Sequence, residues 1–242
     1  MYRTPAPRPG CAVQRGIRKP VITFDAGQTL VELDLDFLAG RLAERGVTVD
    51  PIALGAALPA AWSRYDVLVA QGARHPWHAL MTLLLEHAGI TEPAAHVEWL
   101  WTEQPRANLW RRPMPEMLDL ARELAARGAI VGVLSNSEGK LAELFDEIGI
   151  AAPFASIIDS GRVGLEKPDP RIFEHTLATL GAPGAAAIHI GDSWAADIVG
   201  ALGAGWRAIW FGRNVTAVDD ERVAVARDAA EVRAALVRWG AL

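Results

Sequence analysis

Short apolar runs that end in polar residues recur along the chain, at 21–24, 129–134, 157–158, 186–190 and 207–211, with helix-patterned stretches between them. Strands alternating with helices predict a parallel sheet wrapped by helices. Positions 114–127 set Met117, Leu118, Leu120, Ala121 and Leu124 at helical spacing and stop at Gly128, and 141–148 stops in the same way at Gly149. A third helix over 172–180 is announced by Asp169 as N-cap and Pro170 at the first helical position, and it closes at Gly181.

Between the first two apolar runs lies a long insertion, 35–112, that contains no strand-like run and reads as several helices. A simple crossover is shorter than this. Pro51, Pro59, Pro76, Pro93 and Pro105 punctuate the insertion, and Trp62, Trp77, Trp99, Trp101 and Trp110 supply bulk for a small core of its own. The pattern predicts an α/β protein with three parts. An N-terminal arm covers 1–18, a Rossmann-like core of about five parallel strands is built from 19–34 and 113–242, and a helical cap subdomain covers 35–112.

Composition narrows the class. With 242 residues, 51% of them apolar and 22% charged, the chain can bury a sizeable core, which excludes a disordered chain or a small disulfide scaffold. Its single cysteine, Cys11, has no internal partner and suits a reducing cytosol. The Pro- and Arg-rich arm lacks the apolar run of a signal peptide, and runs such as 79–85 are too short to span a bilayer. A soluble cytoplasmic protein, monomeric or homodimeric, is expected. The formal net charge of −5, with no basic block beyond the arm, gives no reason to expect nucleic-acid binding.

In an open parallel sheet ligands collect beyond the carboxyl ends of the strands, so the polar residues after each apolar run carry the candidate chemistry. These are Asp25, Ser135, Lys167 and Asp192. Taken singly, each has an ordinary explanation: a turn, a helix cap, a solvated loop charge, a Gly-Asp turn. Together they supply a carboxylate nucleophile, a hydroxyl, a cation and a second carboxylate, the set a phosphoryl group would need. Lys167 is the least easily dismissed, because only Lys19, Lys140 and Lys167 occur in the whole chain.

The ordered segments Phe24-Asp25-Ala26-Gly27-Gln28-Thr29-Leu30, Val133-Leu134-Ser135-Asn136, Lys167-Pro168-Asp169-Pro170 and Ile190-Gly191-Asp192-Ser193 with Asp197 resemble the four motifs of haloacid dehalogenase superfamily hydrolases, over about 20–211. The resemblance implies Asp25 as the nucleophile that takes up a phosphoryl group. It implies Ser135 as the hydroxyl that holds that group, Asn136 as a partner in the same loop, and Lys167 as the neutralising cation. Asp25, the backbone carbonyl of Gly27 and Asp192 would hold Mg2+, with Asp197 and Thr29 in support. The implied reaction is hydrolysis of a small phosphorylated metabolite.

One position departs from that family's phosphatases, which carry a second aspartate, the general acid and base, where this chain has Gly27. Such assistance is worth about a hundred- to ten-thousand-fold in rate. The departure implies slow turnover, leaving groups that need little protonation, or a replacement acid from the cap. For the last, Arg74, His75 and His78 are the first candidates, as titratable or anion-gripping side chains, with helix-start packing as the plainer reading. Two other functions stay open: metal-free 2-haloacid dehalogenation, against which Gly191-Asp192 and Asp197 argue, and an anion-binding or regulatory module that has lost catalysis. A phosphonoacetaldehyde hydrolase is excluded, because its cap lysine has no counterpart in 35–112.

Overall fold

The computed structural model describes residues 19–73 and 76–242; the arm expected at 1–18, and Arg74 and His75, lie outside the described residues. The chain opens with β1 (Val21–Phe24) and β2 (Val31–Leu33), then forms α1 (Leu35–Ala43), α2 (Pro51–Ala70), α3 (Trp77–His87) and α4 (Ala94–Glu103). It returns through β3 (Trp110–Pro113) and continues as α5 (Pro115–Ala126), β4 (Ile130–Ser135), α6 (Leu141–Glu147), β5 (Ser156–Asp159), α7 (Ser160–Val163) and α8 (Pro170–Thr179). The last part holds β6 (Ala187–Gly191), one wide π-helical turn at Trp194–Ile198, α9 (Val199–Gly203), β7 (Arg207–Phe211), β8 (Val223–Ala226) and α10 (Ala229–Arg238).

The main sheet has six strands in the order β5-β4-β1-β6-β7-β8, every pair parallel. This is the expected Rossmann-like layering with one strand more than the sequence announces. The sixth, β8, reads Val-Ala-Val-Ala beside a charged turn, and its small side chains give a weak apolar signal. Alternate residues of the central strands feed the two faces. Ile22, Phe24, Val131 and Val133 pack with α5, α6 and α10 on one side, while Val21, Leu134 and Ile158 pack with α8 and α9 on the other. Asp169 caps α8 by accepting from Arg171 N, with Pro170 in the first turn, as its sequence predicts.

The second difference lies in the insertion. Trp110–Pro113 begins within the last residues of the stretch expected to be helical, 35–112, yet it pairs antiparallel with β2 as a two-stranded ribbon. Its sequence, Trp-Arg-Arg-Pro, has no strand-like apolar run, and it is held in the strand by the partner. The four helices between the ribbon's strands pack around their own cluster, which includes Leu38, Leu42, Leu54, Trp77, Leu84 and Leu100. Asp34, at the ribbon's exit, caps α1 through Phe37 N at 2.9 Å. Among the described residues no helix is long and apolar enough to cross a membrane.

Candidate active site

Parallel register sets Phe24 level with Val133 on β4 and Ile190 on β6. The residues that follow, Asp25, Ser135 and Gly191-Asp192, therefore emerge together at the carboxyl ends of the three central strands. Asp25 N donates to Ile190 O at 2.8 Å, which ties the Asp25 loop to the strand that leads to Asp192. The loop then folds on its own main chain: Leu30 N and Val31 N donate to Ala26 O, and Gln28 takes a left-handed φ of 55°. Thr29 is fully buried in this loop, and its hydroxyl has no partner among the described residues, so main-chain bonds do the steadying.

Lys167 arrives from the loop before α8 and is almost completely buried. Its Nζ donates to Asp25 Oδ1 at 2.7 Å, Leu134 O at 2.8 Å and Asp197 Oδ1 at 2.5 Å. All three ammonium protons are thereby used, and the cation bridges the carboxylates of Asp25 and Asp197. Asn136 holds the lysine's main chain from the β4 loop: its Nδ2 donates to Lys167 O at 3.0 Å and its Oδ1 accepts from Lys167 N at 2.9 Å. Its amide is engaged in placing the lysine.

Asp197 sits on the wide turn and reaches back beneath β6. Gly191 permits this, since a β-carbon there would fall 2.3 Å from Asp197 Cγ. The Asp197 oxygens are committed, one to Lys167 and His189 and the other to Ser193 N at 2.9 Å. Three groups were not singled out from sequence. His189, buried in mid-strand, bonds Asp197 through Nε2 at 3.0 Å and Thr23 through Nδ1 at 2.8 Å. A lone histidine in the apolar run of β6 is its only sequence signal. Asp159, at the end of β5, accepts from Gly139, Leu141 and Gly161 N–H groups and shapes the loop after β4. Trp210 donates from Nε1 to Asp192 O at 2.9 Å and stacks against Trp194.

The electrostatics follow from this packing. Burial alone would lower the Lys167 ammonium, but Asp197 and Asp25 outweigh it and hold it above the ordinary lysine range. Burial would raise Asp197, yet Lys167 and His189 hold it well below the carboxylate range. Asp192 is different: burial, then the charges of Asp25 and Asp197, push its carboxyl well above that range. Oxygens of Asp25, Asp192 and Asp197 all lie within 4.8 Å of one another. With Asp197 committed to its hydrogen bonds, Asp25 and Asp192 fit an all-oxygen divalent cation, whose charge would relieve the repulsion at Asp192.

On the insert side, His78 pairs with Glu98 at 3.5 Å and packs on Trp77 and Trp101, so its partners are residues of the insert. Arg74 and His75 lie outside the described residues. Tyr65 of α2 lies near enough for the site's carboxylates to act on its phenol. Burial, then Asp192, Asp66, Asp25 and Asp197, raise its phenol well above the ordinary tyrosine range. Beside it Asp66 accepts from Asn214 Nδ2 at 3.4 Å, joining α2 to the loop after β7. Trp62 packs edge-on to the Tyr65 ring at 5.1 Å.

A parallel α/β sheet whose strand ends gather three carboxylates around a buried lysine defines the class. The model of the haloacid dehalogenase-like hydrolase family matches residues 20–205, and the chain belongs to that family. It is 32% identical over 172 residues to a phosphoserine phosphatase of Thermus thermophilus, covering 68% of this chain and 68% of that one. A glyceraldehyde 3-phosphate phosphatase of Methanothermobacter thermautotrophicus is 33% identical over 113 residues, 46% of this chain and 50% of that one. Among solved structures, a 2-haloacid dehalogenase from Pseudomonas syringae superposes with a TM-score of 0.57 at 26% identity, covering 91% of this chain and 99% of that one.

Proposed function

We propose that this chain is a magnesium-dependent phosphohydrolase of a small phosphorylated metabolite, acting through an aspartyl-phosphate on Asp25, with the helical insert as its cap. The observation that carries the reading is Lys167 Nζ at 2.7 Å from Asp25, inside a carboxylate cluster that includes Asp192. The two phosphatase relatives support it. Mg2+, held by Asp25, Asp192 and the Gly27 carbonyl, would neutralise charge on the phosphoryl oxygens. Lys167 fixes one Asp25 oxygen, leaving the other to attack phosphorus, and it balances the negative charge that gathers there. Ser135, beside the nucleophile, is the hydroxyl placed to hold a phosphoryl oxygen. Asn136, Asp197 and His189 position Lys167.

The test is hydrolysis of p-nitrophenyl phosphate and a panel of phosphorylated metabolites with Mg2+ or with chelator. Metal-dependent turnover is expected, lowered at least about a thousandfold by Asp25→Asn. Equal rates in wild type and Asp25→Asn would overturn it. The Pseudomonas syringae dehalogenase neighbour and Gly27 favour a second reading, metal-free dehalogenation. Halide release from 2-chloropropionate that persists in chelator would establish it.

A further inference from the structure

Gly27 lacks a side chain, and an indole borders the space beside it. A β-carbon built on Gly27 would lie 3.6 Å from Trp110 Cδ1 and 4.0 Å from Trp110 Nε1. The indole comes from β3, the strand that closes the insertion, and it is the side chain that a β-carbon at position 27 would touch.

Trp110 is held there from several sides. Its backbone N donates to Asn108 Oδ1 at 2.8 Å, and Asn108 in turn donates to Glu138 of the β4 loop at 3.4 Å. Its ribbon partner is Leu33, and Leu109 O accepts from Asp34 N. The next residue, Arg111, lies over the Phe37 ring at 4.2 Å and pairs with Glu147 of α6. The half-buried indole packs against both the sheet's apolar cluster and the insert's cluster. A ring fixed between two cores is a rigid wall.

We propose that Trp110 is a specificity-determining residue: standing in contact with position 27, where the missing carboxyl would start, it restricts the site to phosphates whose leaving group departs as a stable anion, above all acyl phosphates. This rests on the phosphohydrolase reading. Indole N–H can donate a hydrogen bond to a leaving oxygen but does not give up its proton. As an Asp25 oxygen bonds to phosphorus, the bond from phosphorus to the leaving oxygen breaks with its electron pair on that oxygen. A carboxylate leaves in this way without a proton, whereas an alkoxide requires one. Water then displaces the phosphoryl group from Asp25, giving inorganic phosphate and a regenerated carboxylate, with the water's proton passing to phosphate or solvent.

The wall also predicts how the site responds to repair. A β-carbon at position 27 sits at ordinary contact distance, but the carboxyl carbon one bond further meets the ring or turns away from the leaving group. Restoring the aspartate alone should therefore fail, and restoring it while trimming the ring should succeed.

The experiment measures kcat/KM with Mg2+ for acetyl phosphate, p-nitrophenyl phosphate, phenyl phosphate and glycerol 3-phosphate. The proteins are wild type, Gly27→Asp, Trp110→Leu and Gly27→Asp with Trp110→Leu. In wild type, glycerol 3-phosphate is expected to be at least about a hundredfold slower than acetyl phosphate, the usual worth of an acid catalyst. Gly27→Asp alone should leave that ratio in place, while the double variant should reduce it at least about tenfold. A flatter dependence on leaving-group pKa is the signature that a merely structural role for the ring would not produce. If Trp110→Leu does not fold, as judged by its thermal transition, Trp110→Phe in the Gly27→Asp background should shift the ratio in the same direction by less. A Gly27→Asp gain equal to that of the double variant, or wild-type turnover with no leaving-group preference, overturns the role of Trp110 alone. Absence of metal-dependent turnover on every phosphate overturns the phosphohydrolase reading and this inference with it.

Discussion

The floor of the site, made by the strand ends, and its roof, made by the helical insert and ribbon, handle polarity in opposite ways. In the floor, Thr23, His189, Asp197, Lys167 and Asp25 form one buried chain of hydrogen bonds in which carboxylates answer the ammonium directly. In the roof the side chains near the site are half-buried aromatic rings: Tyr65 held edge-on to Trp62, and Trp110 against Gly27. Buried ions are stable only while each keeps its partner, whereas rings gain from burial and offer one donor apiece. The floor therefore couples folding to chemistry, and the roof separates them. Substitutions below should lower stability and activity together; removing a polar atom above, with its ring left in place, should alter kinetics and spare the fold.

Lys167→Met is the hardest blow to that contrast. Methionine fills the space but leaves Asp25 and Asp197 buried without their cation, a loss of about 3–5 kcal/mol for a broken buried pair. Because the Lys167 ammonium is raised above its ordinary range, its contribution is complete at neutral pH. It would be lost only as pH climbs past the unfolded value of about 10.4 and through the folded one. Urea unfolding at pH 7 should show the whole deficit, and turnover should fall as well. A variant as stable as wild type would erase the distinction between floor and roof.

His189→Gln probes the same network more gently. Burial is the chief cause that lowers the imidazole below its ordinary range, and the nearby Lys167 charge adds to it, against the opposing pull of Asp197. The folded protein thus resists a proton that the unfolded chain accepts near pH 6.5, and stability falls as pH drops through that value. The slope from one proton is at most about 1.4 kcal/mol per pH unit. Glutamine does not titrate, so unfolding in chelator at pH 5 to 8 should show a shallower slope for the variant. Parallel slopes would mean that the proton is taken up elsewhere.

Floor and roof also differ in how much of them the sequence discloses. Asp25, Ser135 and Asp192 stand at the ends of apolar runs, and a parallel sheet necessarily brings such ends together; one-dimensional pattern and three-dimensional place coincide, while Lys167, in the loop before α8, is marked by the scarcity of lysines. Asp169-Pro170 announces α8 for the same local reason. His189 is hidden because its role depends on register with Thr23 across two strands, and nothing near it in sequence marks that pairing. Strand β3 depends on its partner β2, so Trp110 reads as one more insert tryptophan until the ribbon turns it toward Gly27. Tyr65 lies on a mostly apolar helix whose facing partners come from the far end of the chain. What pairing and docking determine is therefore less visible than what strand ends determine.

Tyr65→Phe should produce the smallest effect and tests the roof most cleanly. The ring that packs on Trp62 is retained, and only the hydroxyl is removed. Burial, together with Asp192, Asp66, Asp25 and Asp197, keeps that hydroxyl protonated far above neutrality, so it serves as a donor and not as an acid or base. A neutral hydrogen bond contributes about 0.5–1.5 kcal/mol, which sets the expected loss in kcat/KM at about two- to tenfold. The thermal midpoint should stay within about a degree or two of wild type, because the ring keeps its packing on the insert's cluster. The shape of the pH–rate profile between pH 6 and 9 should also be unchanged, since no titrating group is removed in that range. A displaced limb in that profile would mean that the phenol transfers a proton, making Tyr65 the roof's replacement for the absent acid and leaving Trp110 as a wall beside it.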